Sequence, residues 1–470
     1  MSNTLPNPKK VKIIATIGPS CDSREKIVEL AHAGVDIFRI NLSHAAREEI
    51  LDRVQKIRQA EKIVGRPLAV MGDLVGPKIR IGTVEPGVNL EAGKKLKILF
   101  KQTYGSAEAI SINFPTILKN LEKGHEIYLG DGEIKLSFLE RNGDGVVAKV
   151  IVGGELRDRM GFSSHGISMR FPLTEKDEHD IAMMCDLGAD ALAVSFVQSQ
   201  KDIEEVRKLL PTRKPPILIA KIETLAAVEK SEEILEVSNG LMVARGDLGF
   251  SVPLPELPHI QKSLINLGLK KSKPVITATQ MLESMINSHF PTRAEVTDVA
   301  NAILDGTDAV MLSAETAIGK FPVETVKMMV RIIREAEVRV VKRDFTDTDI
   351  TADAVSASAV NIAERTNSKL IVVFTQSGHT ARLISRHKPN QLILALSPVP
   401  ETIRNLNFSW GVYSHLVKPS TDFDDMLKVA KKIVRTNNLF TLKKGDSFVL
   451  CAGAPFGKSG TTNLVWANKA

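Results

Sequence analysis

One phrase recurs eight times along this chain: a short apolar run, a polar cluster, then a segment with helical period. The runs are KIIATIG (12–18), IFRINL (37–42), AVMGDL (69–74), ALAVSF (191–196), ILIAKIE (217–223), LMVARGD (241–247), PVITAT (274–279) and AVMLSA (309–314). Apolar runs without polar alternation read as strands buried on both faces, and strands alternating with helices imply parallel β/α units. Eight such units predict a closed (β/α)8 barrel. The helices carry start and stop signals of their own. In PTRAEVTDVANAILDG, Thr292 and Glu295 have capping-box spacing, and Gly306 follows the amphipathic run.

The interval between the third and fourth runs is far longer than one helix. Within it the period changes to two, in KLKILF (95–100), AISINF (109–114), EIYLGDGEIKLSF (126–138) and VVAKVIV (146–152). This predicts a small β-barrel domain inserted over 83–168, mounted so that it can act as a lid on the catalytic face. After a charged linker, 343–470 reads as a separate open α/β domain. It contains a helix over 352–366 and the strands KLIVVFT, LILALS, VYSHLV and FVLCAG. The barrel is then 1–82 with 169–342.

Composition narrows the function. Lys and Arg number 62 against 55 acids, a net charge of +7, but they are dispersed, and aromatics make up only 5% of the chain. A stacking surface for bases is therefore not expected, nor a nucleic-acid partner. No apolar stretch approaches the ~18 residues that would span a bilayer, so no membrane association is expected. Cys21, Cys185 and Cys451 have no paired spacing, which argues against a zinc site or a disulfide framework and suggests a reducing, cytoplasmic setting.

A barrel of this kind places its chemistry at the C-terminal strand ends. There stand Arg39, Asn41, Ser43 and His44; Asp73, Lys78 and Arg80; Lys221 and Glu223; Arg245 and Asp247; Thr279 and Gln280; Ser313 and Glu315. Lys221 between Glu223 and Asp247 is an arrangement that can bind a divalent metal and steady an anion beside it. No nucleophilic Cys and no Ser, His and acid set accompanies them. The inventory suits phosphoryl transfer, which requires positioning, a metal and positive charge rather than covalent help.

The strings ATIGPS, FRINLSH, GPKIR, AKIET, MVARGDLG, TATQMLESM, PTRAEVTDVANAILDG and MLSAET, in this order, resemble those of pyruvate kinase. The resemblance covers essentially the whole chain. It implies transfer of the phosphoryl group of phosphoenolpyruvate to ADP, giving pyruvate and ATP, as the last step of glycolysis. By the same resemblance, Glu223 and Asp247 hold Mg2+ or Mn2+, Lys221 and Arg39 meet the migrating phosphoryl, and the backbone at Gly246 and Asp247 receives the substrate carboxylate. Thr279 lies nearest the methylene carbon that is protonated, with a water relay involving Ser313 and Glu315 behind it. Pro19, His44, Arg80 and Lys176 border the nucleotide, and Asp131 of the lid approaches its metal. A homotetramer is implied, with the C-terminal domain forming one interface.

Two further expectations come from details. TQSGHTAR (375–382) follows a strand and opens a helix, a cradle for a phosphate. Thr375, Ser377, Gly378, His379 and Thr380 resemble the loop that binds a sugar-phosphate activator in many pyruvate kinases, and the late loop GAPFGKSGTT supplies Lys458. Secondly, many relatives read TKGPEIR after the third-strand Asp and need potassium, held near the equivalents of Asn41, Ser43 and Asp73. Here the string is DLVGPKIR, where Leu74 has no hydroxyl and Lys78 replaces Glu. An ammonium near that place can supply the charge potassium would bring, so K+ is not expected to be required. Two other classes share parts of the pattern. A metal-dependent aldolase or lyase would need neither lid nor second phosphate-binding domain, and a non-enzymatic sensor would not be expected to keep the charged strand ends.

Overall fold

A computed structural model of the chain describes residues 8–43, 46–76, 78–130, 132–164, 173–345, 350–420, 422–437, 440–454 and 461–470. His44, Asp131, Lys458 and the expected boundary at 168/169 lie outside them. The eight apolar runs form β1 (Lys12–Thr16), β2 (Ile37–Asn41), β3 (Ala69–Asp73), β4 (Ala191–Val194), β5 (Ile217–Ile222), β6 (Gly240–Ala244), β7 (Val275–Ala278) and β8 (Ala309–Leu312). All neighbours pair in parallel, and β1 bonds to both β2 and β8, closing the barrel. Alternation decides which side chains enter the barrel. Ile14, Ile37, Met71, Ile219, Met242 and Ile276 fill its interior, while their neighbours Ile13, Phe38, Val70 and Leu241 face the helices outside. The helix Arg293–Asp305 begins and ends as its sequence signals require. Thr292 and Glu295 form the capping box, and Gly306 takes φ 101° after the last turn.

The inserted segment folds as a curled six-stranded sheet in the order Phe162–Ser164, Glu126–Leu129, Ile134–Asn142, Gly145–Val152, Lys95–Leu99 and Ala109–Ser111. Its two edges are joined by the chain that enters from β3. Ile81 N donates to Met160 O, Phe162 N to Ile79 O, Gly82 N to Ser111 O and Asn113 N to Arg80 O. Ile79 to Gly82, ahead of the expected start at Thr83, therefore already belong to this sheet. Asn113 Oδ1 also accepts from Arg80 N, and its amide donates to Lys78 O.

The C-terminal domain is built on β9 (Leu370–Phe374), β10 (Leu392–Ser397), β11 (Val412–Leu416), β12 (Ser447–Gly453) and β13 (Thr462–Lys469), in the order β11-β10-β9-β12-β13. The first four are parallel; β13 returns antiparallel and was not expected from the sequence. Most of its side chains are exposed or half-exposed, so TNLVWANK has no buried face to announce a strand. The helix ahead of the sheet spans Thr351–Arg365.

This domain closes the N-terminal end of the barrel. Phe408, fully buried, belongs to the same apolar cluster as the barrel interior. Around it Trp410 N donates to Asp308, Lys388 pairs with Asp308 at 2.9 Å, and Arg404 pairs with Glu61. Lys12, at the foot of β1, donates to Val412 O and sits 4.0 Å from the centre of the Tyr413 ring. Its burial pushes the ammonium down to about 7, against the opposing pull of Asp36.

Phe408→Ala should open a cavity at the foot of the barrel and cost about 3–5 kcal/mol. Thermal denaturation followed by circular dichroism is expected to show a clearly lowered midpoint, with Phe408→Leu in between.

Candidate active site

At the opposite end, the ends of β2, β3 and β5 bring four charges into one buried network. Arg39 Nε donates to Asp73 Oδ2 at 2.6 Å, and Lys221 Nζ lies 3.2 Å from Asp73 Oδ1 and 2.9 Å from Glu223 Oε1. Two residues that sequence reasoning passed over complete it. Thr16 Oγ1 accepts from Arg39 Nη1 at 2.9 Å, and Ser195 Oγ accepts from Lys221 Nζ at 2.6 Å while donating to Leu74 O. Both end apolar runs, the only signal the sequence offered.

The network sets the charge states. Burial pushes the Asp73 carboxyl up, but Lys221 and Arg39 more than offset it and hold it below its ordinary value. Burial opposes the Lys221 charge, and Asp73 with Glu223 overcomes this, keeping it firmly protonated. Glu223 is raised, by burial first and then by the nearby Asp247, although Lys221 pulls the other way. Its Oε2 accepts from Phe196 N at 2.6 Å, whereas Oε1 is buried with no hydrogen-bond partner, Lys221 being close but out of line. Asp247 stands on the short helix Arg245–Leu248 and is far more open.

Three strained residues stand at this end of the barrel. Phe196, Thr279 and Gln280 have φ of 53°, 66° and 53°, the left-handed region that side chains other than glycine avoid. Arg245, expected to join Lys221 and the carboxylates, instead turns into the barrel wall. It pairs with Asp298 at 2.7 Å and donates to Thr279 O at 2.7 Å and Gln280 O at 3.1 Å, clamping the strained turn. Thr279 Oγ1 donates to Ala278 O and accepts from Gly246 N at 2.8 Å. The Gly246 amide expected to receive a carboxylate is thus engaged by Thr279. Glu315, expected in a relay, caps backbone: its oxygens accept from Ser313 N at 2.7 Å and Leu282 N at 3.2 Å.

The remaining candidates spread around the cleft. Asn41 Oδ1 accepts from Ser43 N in a local turn, and Lys176 Nζ reaches Leu42 O at 2.8 Å. Pro19 is exposed in the loop after β1. Leu74 is buried, its amide bonded to Ala193 O. Lys78, expected beside Asn41, Ser43 and Asp73, pairs with Asp247 at 3.3 Å. Lys78, Arg80, Glu223, Thr224, Asp247 and Phe250 line a cavity of about 160 Å³ between barrel and lid. Among the described residues no group of three or more His, Cys, Asp or Glu could hold a metal unaided. In the C-terminal domain a smaller cavity of about 60 Å³ is lined by Thr375, Ser377, His379, Thr380 and Lys418. Gly378, with φ 80°, donates its amide to Thr375 Oγ1, and Thr380 Oγ1 is bonded to Thr462 Oγ1 at 2.6 Å.

A parallel barrel with a buried lysine between carboxylates at its C-terminal mouth, an inserted β lid and a C-terminal α/β domain defines a phosphotransferase. Residues 8–326 match the pyruvate kinase barrel domain and 353–466 the pyruvate kinase alpha/beta domain. The chain belongs to the pyruvate kinase family, and it is an enzyme of that type. It is 41% identical over 466 residues to a pyruvate kinase of Methylorubrum extorquens, covering 97% of this chain and 96% of that one. Identity to a pyruvate kinase of Thermotoga maritima is 39%, over 97% and 98% of the two chains. The structure of a pyruvate kinase from Cryptosporidium parvum superposes with a TM-score of 0.91 at 34% identity, covering 98% of this chain and 96% of the other.

Replacing Asp73 by Asn should leave two buried cations short of a carboxylate and cost about 3–5 kcal/mol. Because the folded Asp73 value lies below its ordinary 3.8, the stability it contributes is complete above that value. It is lost as pH falls through the folded value. Glu223 acts oppositely: being raised above 4.5, it costs stability at higher pH and the cost is relieved on acidification. Denaturation midpoints across pH 2–6 are expected to fall in acid for the parent, and less steeply for Asp73→Asn.

Proposed function

We propose that this enzyme transfers the phosphoryl group of phosphoenolpyruvate to ADP, as a step of glycolysis in the cytoplasm. The observation that carries the site assignment is Lys221, buried and held protonated beside Asp73 and Glu223. The bond between phosphorus and the enol oxygen breaks, a β-phosphate oxygen of ADP takes the phosphorus, and the enolate gains a proton at its methylene carbon. Charge on the migrating phosphoryl falls to Lys221 and to Arg39, whose Nε and Nη1 are already fixed by Asp73 and Thr16. Preorganised in this way, both cations meet that charge without reorganising.

Glu223 and Asp247 suit a divalent ion, since the buried Glu223 Oε1 lacks a hydrogen-bond partner and both groups are hard oxygen donors. Mg2+ or Mn2+, when bound, would draw charge from the substrate oxygens that complete its shell. Thr279 is the group proposed beside the methylene carbon. Its hydroxyl must release Gly246 N for that amide to meet the substrate carboxylate, so carboxylate binding and freeing of the hydroxyl are one event. Arg80, Lys176, Pro19 and His44 are proposed on the nucleotide side.

Independence from potassium is part of this reading. It is supported by Leu74, buried without a side-chain ligand, and by Asp73, both of whose oxygens already face cations. A phosphorylated effector is proposed for the loop Thr375 to Thr380. Since Thr380 is bonded to Thr462, Ser377 and Lys418 carry that assignment. A homotetramer is proposed, and the outer edge of β13, which ends its sheet, supports a C-terminal interface.

Lys221→Met should lose ATP formation by a factor of a hundred or more, about 3 kcal/mol in the barrier, while pyruvate still binds. A coupled assay with phosphoenolpyruvate, ADP and magnesium decides this, and near-normal turnover would refute the role. In tetramethylammonium buffer the parent should be fully active with little gain from potassium. The double change Lys78→Glu with Leu74→Thr should make activity rise with potassium.

A further inference from the structure

Lys78 touches both halves of the cleft. Its carbonyl accepts from Asn113 of the lid at 3.0 Å, and its amide donates to Gly76 O at 2.9 Å. From Ile79 to Gly82 the chain is already hydrogen-bonded into both edges of the lid sheet. The turn that starts this crossing is held to the barrel: Gly76 has φ 64°, its amide donates to Asp177, and a Cβ there would lie 2.9 Å from Ser195 Cβ. From this base the Lys78 ammonium crosses to Asp247 on the barrel, 3.3 Å away. Both side chains are over a third exposed, 36% and 38%, so the pair adds little to stability. Its importance lies in which carboxylate it occupies.

Asp247 and the buried Glu223 are two acids close enough for one to perturb the other, and Lys78 is the cation standing against the open one. We propose that Lys78 is a latch: it occupies Asp247 while the divalent ion is absent, and the arriving ion displaces it, releasing the base of the lid from the barrel. The proposal rests on the assignment of Glu223 and Asp247 as ligands of that ion. A divalent cation brings twice the charge to the same carboxylates, so exchange favours the ion once its concentration suffices. The freed ammonium stays within its own length of the cleft, where the incoming phosphates are the next anions to meet. Metal occupancy and lid position are then coupled, reciprocally, through one side chain.

The test uses the full-length enzyme without substrate or nucleotide, with Mn2+ titrated by electron spin resonance and amide hydrogen exchange followed over the crossing segments 74–76 and 78–79, where the amides of Leu74 and Gly76 are held to the barrel and that of Lys78 to the crossing turn. Lys78→Met should bind Mn2+ roughly two- to fivefold more tightly, because nothing competes for Asp247. In the parent and in Lys78→Arg, saturating Mn2+ should speed exchange in those segments. In Lys78→Met exchange should already be fast and should not respond, and Lys78→Gln should repeat this result. Equal Mn2+ affinity in parent and Lys78→Met would overturn the latch. So would tighter binding in the variant without any Mn2+-dependent exchange in the parent, which would mean simple charge repulsion. Glu223→Gln and Asp247→Asn separate the two levels. If neither weakens Mn2+ binding, the ligand assignment fails; if they weaken it and Lys78→Met changes nothing, only the latch does.

Discussion

Asp73 is the carboxylate around which the cleft is organised. It comes from β3, yet it fixes a cation from β2 on one oxygen and a cation from β5 on the other. Burying three charges is expensive unless each is paired and hydrogen-bonded. Here Thr16 and Ser195, from the ends of β1 and β4, supply the missing partners. Five adjacent strands thus contribute to one polar network at the mouth of an otherwise apolar barrel. Closure of the barrel is what brings those strand ends into register, and the network is what keeps two positive charges aimed at one place.

Much of this was legible in the sequence because buried parallel strands leave an unambiguous trace, a continuous apolar run ending abruptly in polar residues. All eight barrel strands and Lys221 with Glu223 could be read that way, but the second carboxylate on Lys221 is Asp73 and not the expected Asp247, which pairs with Lys78. What could not be read was direction. Arg245 stands two residues from Asp247, and charge alone does not say that one serves the cleft while the other clamps a strained turn inside the wall. Thr16 and Ser195 are small hydroxyl residues, common at strand ends for many reasons, and only three-dimensional closure shows what they touch. The contacts of Glu315 were hidden for a related cause: one of its oxygens accepts from the nearby Ser313 amide, the other from Leu282, which is far away in sequence. The strand β13 escaped because most of its side chains are exposed or half-exposed, which leaves no clear hydrophobic alternation.

Strain and charge sit together at the cleft. Phe196 and Thr279, both in left-handed backbone, present an amide to Glu223 and a hydroxyl to Gly246. The conformational cost, of order 1–3 kcal/mol per residue, is thus carried by residues that line the site. Arg245 is the restraint that keeps the Thr279 turn from relaxing.

Phe408 carries a consequence for modularity. A barrel whose lowest interior layer is completed by a residue from another domain is not an independent folding unit, and cutting the chain between them would expose an apolar shaft to water. A foreign counterpart to either domain would therefore have to supply, or accept, a side chain that fills the same place. The same arrangement means that a tilt of the C-terminal domain is felt by the barrel as a change in its own packing, with no messenger required between them.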